Sequence, residues 1–440
     1  MTSTTESIQN KVVVIGGGIA GLTACVALRK KDKHVDILLV EPKQYFQVPW
    51  ASYRAIFDAK MREASIFDLE PWCTKHNITH LETTVTRLTE TSAHLGNGQV
   101  ITDFAAAAIC VGAVCKWPSL GRCHAIETTR LNGKTKTKQN ASKGNVLTRQ
   151  ERIKQLEQDG ERLLNAGSVL VIGGGLIGVE TAGDLAYFAA KQEKILEVTL
   201  VHSGKTLIPE FPERASNMVL KKLTKLGVNV ILDDKVVPSK SKGKNKTGNN
   251  KKSKSSPSSP TTTFHLQNSD QDISANQVIW TTGLTAQNHF MLDPKYLTKK
   301  GGWIKVNENF LLTHCDNGRL FAFGDCCDLL PNAGNQVLGA MPVIGHNLKV
   351  SVDSYTAPMG RGGGGGGADN DNDDHTDSST PVNKRKKLNK ALLQPELYIA
   401  TIGKKDGVAL TPFGATGLGL PRLKNKTQFL MKPKNSLGLV

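Results

Sequence analysis

Residues 12–24 read VVVIGGGIAGLTA, and residues 169–182 read VLVIGGGLIGVETA. Each is an apolar run, then G-x-G-x-x-G, then a stretch of helical character. The first copy sets Gly16, Gly18 and Gly21; the second sets Gly173, Gly175 and Gly178. The run Val12-Val13-Val14-Ile15 has no polar face, as a strand covered on both sides of a parallel sheet requires. In such a unit the first glycine permits a tight turn, the second lets the backbone approach a pyrophosphate, and the third lets helix pack on strand. The helix then aims free N–H groups and its positive dipole end at the phosphates. The next strand, residues 35–40, delivers Glu41 about 20 residues past Gly21, where the fingerprint asks for an acid to hold a ribose. Two such units predict two dinucleotides on one chain and electrons passing between them.

The copies are not equal. The second strand of the second unit, residues 198–201, runs into His202 and Ser203 instead of an acid. A carboxylate there would bind the 2′-OH of NADH and repel the 2′-phosphate of NADPH. Its absence, with Lys205 close by, leaves both nucleotides admissible. Lys205 reads equally well as a solvated loop lysine.

The chain has 440 residues, enough for two or three domains, and carries 56 Lys+Arg against 39 Asp+Glu, a net charge of +17. Much of that charge falls in three polar segments: 132–148, 238–262 and 358–390, the last with a glycine run at 362–367 and KRKK at 384–387. Their compositions bury too little apolar area to order themselves, so we expect disordered inserts in a folded enzyme. Apolar residues interleave the basic C-terminal stretch (Arg422, Lys424, Lys426, Lys432, Lys434). It fits either an anionic membrane surface or a solvated terminus. Eight cysteines are scattered without a C-x-x-C, as in a reducing, cytoplasmic setting; we expect the adjacent Cys326 and Cys327 to be free buried thiols, since a disulfide between them would be strained. Residues 12–28 are too short and too glycine-rich for a membrane span, and only about ten residues precede the first strand, too few for a transit peptide.

Three more strands end in glycine. Residues 108–111 lead to Gly112, residues 278–282 to Gly283, and residues 320–323 to Gly324 and Asp325. A carboxylate delivered right after a glycine can accept hydrogen bonds from a ribityl chain while the glycine lets a phosphate close in. A helix is expected over residues 343–355, opened by Met341-Pro342. If its N-terminus aims at a flavin, its dipole stabilises the anion formed on reduction. Glu180, two residues past Gly178, is placed to reach a nicotinamide amide; it also reads as an acid complementing the helix dipole. Tyr45, Phe46, Pro49 and Trp50 fit either the wall of an apolar site or ordinary core.

The order GGGxxG, ICVGA, GGGxxGVE, IWTTG, FAFGDCCD resembles that of the pyridine nucleotide-disulfide oxidoreductase superfamily, with its two dinucleotide-binding domains. The second half is most similar to the apoptosis-inducing-factor-like, ferroptosis-suppressor type of NAD(P)H:quinone oxidoreductase. The resemblance implies an α/β fold of two Rossmann-like domains, the second nested in the first, plus a small C-terminal α+β region. Residues 11–131 and 300–357 would form the FAD-binding domain, 151–299 the NAD(P)H-binding domain, and 391–440 an acceptor or interface region. It implies FAD on Gly16, Gly18, Gly21, Glu41, Gly112, Gly324 and Asp325. It implies NAD(P)H on Gly173, Gly175, Gly178, Glu180, His202 and Gly283, with Glu180 as the catalytic group. Hydride would pass from nicotinamide to flavin, and electrons then to a quinone-like acceptor. The flavin carries that chemistry, so no side-chain nucleophile and no metal is expected. The myristoylatable glycine of the mammalian members is absent from Met1-Thr2-Ser3-Thr4, and neither Lys390 nor Gln394 is assigned the lysine expected near the flavin.

Two other functions compete. An iron–sulfur or other redox protein could be the acceptor, drawn by the basic surface. A nucleic-acid-binding or nuclear signalling flavoprotein would use KRKK at 384–387, but no base-reading motif accompanies the charge.

Overall fold

The computed structural model describes residues 11–115, 128–131, 134–137, 148–238, 261–288, 290, 293–329, 334–356, 387–390, 398–411, 414–416 and 431–439. Lys11–Ile15 forms the centre of a five-stranded parallel sheet in the order Leu320–Ala322, Ala106–Ile109, Lys11–Ile15, Asp36–Val40, Thr79–Leu81. Val12 and Val14 belong to one core cluster and Val13 and Ile15 to another. That alternation is the period of two of a strand buried on both faces, and it explains why the sequence shows no polar side.

On one face pack the helices Ile19–Lys31 and Met341–Thr356. Gly345 lies against Ala27, where a Cβ would strike the Ala27 carbonyl, and Lys349 pairs with Asp32 at 3.3 Å. Residues 345 and 349 thus match 27 and 32, so the two helices run in the same direction. The N-terminus of the second faces the same end of the sheet as the glycine turn. Pro342 sits in its first turn, where its missing N–H costs nothing. Against the other face lie the antiparallel strands Val85–Leu88, Ser92–Leu95 and Val100–Thr102.

The second unit repeats the plan. Its four-stranded parallel sheet runs Asn229–Ile231, Glu197–Val201, Ser168–Ile172, Gln277–Trp280. Val169 and Val171 face the helix side, while Leu170 and Ile172 face the strands Thr262–Leu266 and Gln271–Ala275. Ala113–Cys115 pairs antiparallel with Leu284–Ala286, tying the two units at their strand crossings. An antiparallel sheet of Tyr398–Ile402, Asp406–Thr411 and Gly414–Thr416 and the helix Met431–Leu437 form the described C-terminal region.

Two expectations of disorder need correction. Within 132–148, Lys134–Thr137 is a strand paired with Thr128–Leu131. The physical reason is local: Asn132-Gly133 is a strong two-residue hairpin signal, flanked by β-branched threonines. Within 358–390, residues 387–390 are held by the enzyme. The Lys387 carbonyl hydrogen-bonds His346, Asn389 N donates to Asn347 Oδ1, and Lys390 pairs with Glu308. The helix Arg149–Leu164 also went unread, although its Thr148/Glu151 capping box is a sequence signature.

Candidate functional site

The glycine turns of both units sit at the carboxyl ends of their sheets, where ligands of open parallel sheets bind. Gly16 takes φ +102° and Gly173 φ +115°, a backbone region closed to ordinary side chains. A Cβ on Gly21 would overlap the Gly16 carbonyl oxygen, and one on Gly178 the Gly173 carbonyl oxygen. Gly18 and Gly175 differ: a Cβ there would meet no heavy atom within 4 Å. The packing of the described residues does not demand glycine at these two places, which leaves room for a group to approach the backbone from outside.

Helix Ile19–Lys31 starts at Gly18 without a side-chain cap, has no acid in its first turn and carries Arg29, Lys30 and Lys31 in its last. Helix Leu176–Lys191 starts at Gly175, likewise uncapped and with no first-turn acid. Each N-terminus therefore presents unsatisfied N–H groups and a positive dipole end to the same open space. The cradle fits a pyrophosphate at both turns.

Glu41 is 5% exposed. Its Oε2 accepts the Gly17 amide at 2.6 Å and its Oε1 the Lys43 amide at 3.0 Å, so the carboxylate is fixed beside the turn. The His80 ring meets the Glu41 carbonyl at 2.8 Å. In the second unit His202 occupies the matching place. A Cβ on Gly17 would lie 2.7 Å from Glu41 Cγ, and one on Gly174 would lie 2.6 Å from His202 Cγ. His202 Nε2 is buried without a hydrogen-bond partner among the described residues. Burial pushes the imidazole below the usual histidine range, which favours its neutral form.

Gly112 follows the strand Ala106–Ile109 beside Lys11–Ile15, and Gly324 follows the edge strand Leu320–Ala322 beyond it, with φ +67° and +79°. Asp325 follows Gly324 directly, so Gly16, Glu41, Gly112, Gly324 and Asp325 all gather at one end of the five-stranded sheet. Gly283 plays the part of Gly112 in the second unit, after the strand neighbouring Ser168–Ile172. Thr281 Oγ1 there donates to the Gly173 carbonyl at 2.9 Å and closes the turn from the side.

Glu180 lies beyond the first turn of its helix and is 6% exposed. Its Oε1 accepts both the Thr401 amide at 2.9 Å and the Thr401 hydroxyl at 2.8 Å. One turn on, Asp184 holds Arg54 in a fork: Arg54 Nε donates to Oδ2 at 2.9 Å and Nη2 to Oδ1 at 2.6 Å. Both side chains are at most 2% exposed. Arg54, Asp184 and Thr401 were missed in the sequence, because nothing in their local pattern marks residues 130 and more apart as partners.

The cysteines near the first turn are buried thiols. Cys25, Cys110 and Cys326 are pushed well above the usual thiol range by burial, and Cys326 and Cys327 donate to backbone carbonyls instead of pairing with each other. Tyr45 and Phe46 are core residues at 1% and 2% exposure. Of the basic C-terminal residues, Arg422, Lys424 and Lys426 lie outside the described residues; Lys434 stands over the Phe67 ring. Most of KRKK, residues 384–386, also lies outside them.

Paired glycine turns, two uncapped helix ends and a fixed acid at only the first are features of a double dinucleotide binder. A family model described as pyridine nucleotide-disulphide oxidoreductase matches residues 10–342. The chain belongs to that family. This pyridine nucleotide oxidoreductase is 25% identical over 337 residues to apoptosis-inducing factor homolog B of Dictyostelium discoideum, covering 73% of this chain and 76% of the relative. It is 26% identical over 190 residues to the type II NADH:quinone oxidoreductase of Haemophilus influenzae, covering 39% and 36%. Its fold is similar to that of NDH2 from Plasmodium falciparum, solved with NADH, at a TM-score of 0.63 and 15% identity over 98% and 97% of the chains. The oxidoreductase uses FAD and NAD(P)H.

Proposed function

We propose that this flavoprotein is an NAD(P)H:quinone reductase. The observation that carries the reading is the state of its thiols. A disulfide-reducing relative needs a reactive cysteine pair beside the flavin, whereas Cys25, Cys110 and Cys326, the described thiols near the first turn, are buried, and burial pushes each above the usual thiol range. Electrons therefore leave to an external acceptor, and the similarity to a type II NADH:quinone oxidoreductase supports a quinone. The same free thiols favour a reducing, cytoplasmic setting.

A flavin held at the first turn would supply the redox chemistry, taking a hydride from the nicotinamide and passing electrons on singly or in pairs. The chain orients both partners. The helix at Gly18 and Glu41 would hold the first nucleotide, with Asp325 at the strand end for its polar chain. The helix at Gly175 would hold the second. His202, neutral and uncharged toward a 2′-phosphate, leaves both NADH and NADPH acceptable.

Purified protein should be yellow and should bleach anaerobically with NADH or NADPH. A soluble ubiquinone analogue should restore the colour faster than a ferredoxin-like protein does. The reverse order would transfer the assignment to the iron–sulfur acceptor.

A further inference from the structure

Helix Leu176–Lys191 offers residues 180, 183, 184 and 187 on one face. The hairpin of Tyr398–Ile402 and Asp406–Thr411 lies along it. Thr401, 2% exposed, holds Glu180 through amide and hydroxyl. At Gly183 a Cβ would stand 3.1 Å from the Gly403 nitrogen, so the backbones approach closely where a side chain is missing. Arg54, forked on Asp184, also gives Nη2 to the Gly403 carbonyl at 2.8 Å. Gly403 itself takes φ +60° and would place a Cβ 2.7 Å from Tyr187 Cβ. Within the turn Lys404 reaches Asp58 at 2.7 Å, and just past it Asp406 pairs with Lys222.

One turn thus grips the flavin unit through Arg54 and Asp58, and the nicotinamide unit through Glu180, Asp184 and Lys222. A buried ion pair is an inefficient way to stabilise a core, because both charges lose their water; its best-attested use is to fix a register. The register available here is the one between the two nucleotide sites.

We propose that the hairpin is a positioning clamp for hydride transfer. Thr401 sets the Glu180 carboxylate, and the node of Arg54, Asp184 and Gly403 sets the pitch between the two units. The clamp rests on the two-nucleotide reading and holds whatever the acceptor. It serves the transfer of one hydride, a proton with two electrons, from nucleotide to flavin, with no other reactant. Displacements of about 1 Å far from the reacting atoms cost such steps up to about 100-fold.

The test uses flavin-loaded full-length protein, anaerobic stopped-flow reduction by NADH, and NADH deuterated at the transferred position. Thr401→Val keeps the shape and removes the hydroxyl; Thr401→Ser keeps the hydroxyl. Thr401→Val should reduce its flavin about ten-fold more slowly at saturating NADH, with a larger isotope effect. Its affinity for NAD⁺, titrated calorimetrically, should stay within about two-fold of the parent, since the pyrophosphate turn is untouched. Thr401→Ser should restore the rate. An unchanged rate and isotope effect in Thr401→Val, or a loss confined to NAD⁺ affinity, would overturn the clamp. Should Thr401→Val lose its flavin, Lys404→Ala at the surface decides, read by amide exchange of the 398–411 peptide. Faster exchange with slower reduction supports the clamp, and faster exchange with an unaltered rate ends it. Flavin in the parent protein that NADH and NADPH both fail to reduce would break the cofactor reading itself.

Discussion

The two glycine turns are built alike in backbone and differ in the side chain that leans on them. At the first, Glu41 presses against Gly17 and is fixed by two amides. At the second, His202 presses against Gly174; burial favours its neutral form, and Nε2 has no hydrogen-bond partner among the described residues. A fixed carboxylate suits a ribose that arrives once and stays. A neutral imidazole neither grips a 2′-OH strongly nor repels a 2′-phosphate, which suits a nucleotide that exchanges at every turnover. Two turns with the same backbone thus differ in the one residue beyond the motif that would face the ribose.

The comparison breaks most completely at the third glycines. Gly21→Val drives a side chain into the Gly16 carbonyl and should abolish flavin binding, seen as colourless protein. Gly178→Val does the same at the Gly173 carbonyl, yet should leave the flavin in place and remove its reduction by NADH. If both variants lost flavin alike, the sites would not be independent. What holds them together is tested by Asp184→Asn. It leaves the buried Arg54 charge uncompensated and should cost about 3–5 kcal/mol in a denaturant titration. Gly18→Ala and Gly175→Ala sharpen the comparison further. Neither meets a neighbouring atom, so the fold should stand. Each should weaken its own nucleotide by about 1–3 kcal/mol, or roughly five- to 150-fold, by crowding the pyrophosphate. The smallest effect belongs to His202→Glu, which remakes the second site in the image of the first. KM for NADPH should rise about ten-fold relative to that for NADH, a difference of about 1.4 kcal/mol; an unchanged ratio would remove His202 from the choice.

Much of the fold was legible because its signals are local. Four apolar residues before each turn announce a two-faced buried strand, and the core clusters divide them alternately between faces. The glycines follow from sterics that act within a few residues. Pro342 was legible for the same reason. The Thr148/Glu151 box and the Asn132-Gly133 hairpin signal are equally local, but the lysines around them give the segment the composition of a disordered loop. Glu180 shows where such reasoning stops. Its motif suggests a nicotinamide partner but says nothing of Thr401, 221 positions away, which holds its Oε1 in the folded chain.

By itself, then, the sequence determined the class: two parallel sheets, two phosphate-binding turns and an acid at only one of them. These are consequences of backbone geometry, side-chain volume and charge within single βα units. Only the tertiary structure decided how the units face each other. Besides the pairing of Ala113–Cys115 with Leu284–Ala286, Arg54, Asp184, Thr401 and Gly403 take part in that relation, meeting across the chain in a dry interior where an unpaired charge is too costly to leave. No local pattern encodes such a meeting, because its energy exists only once the separate segments have excluded water together.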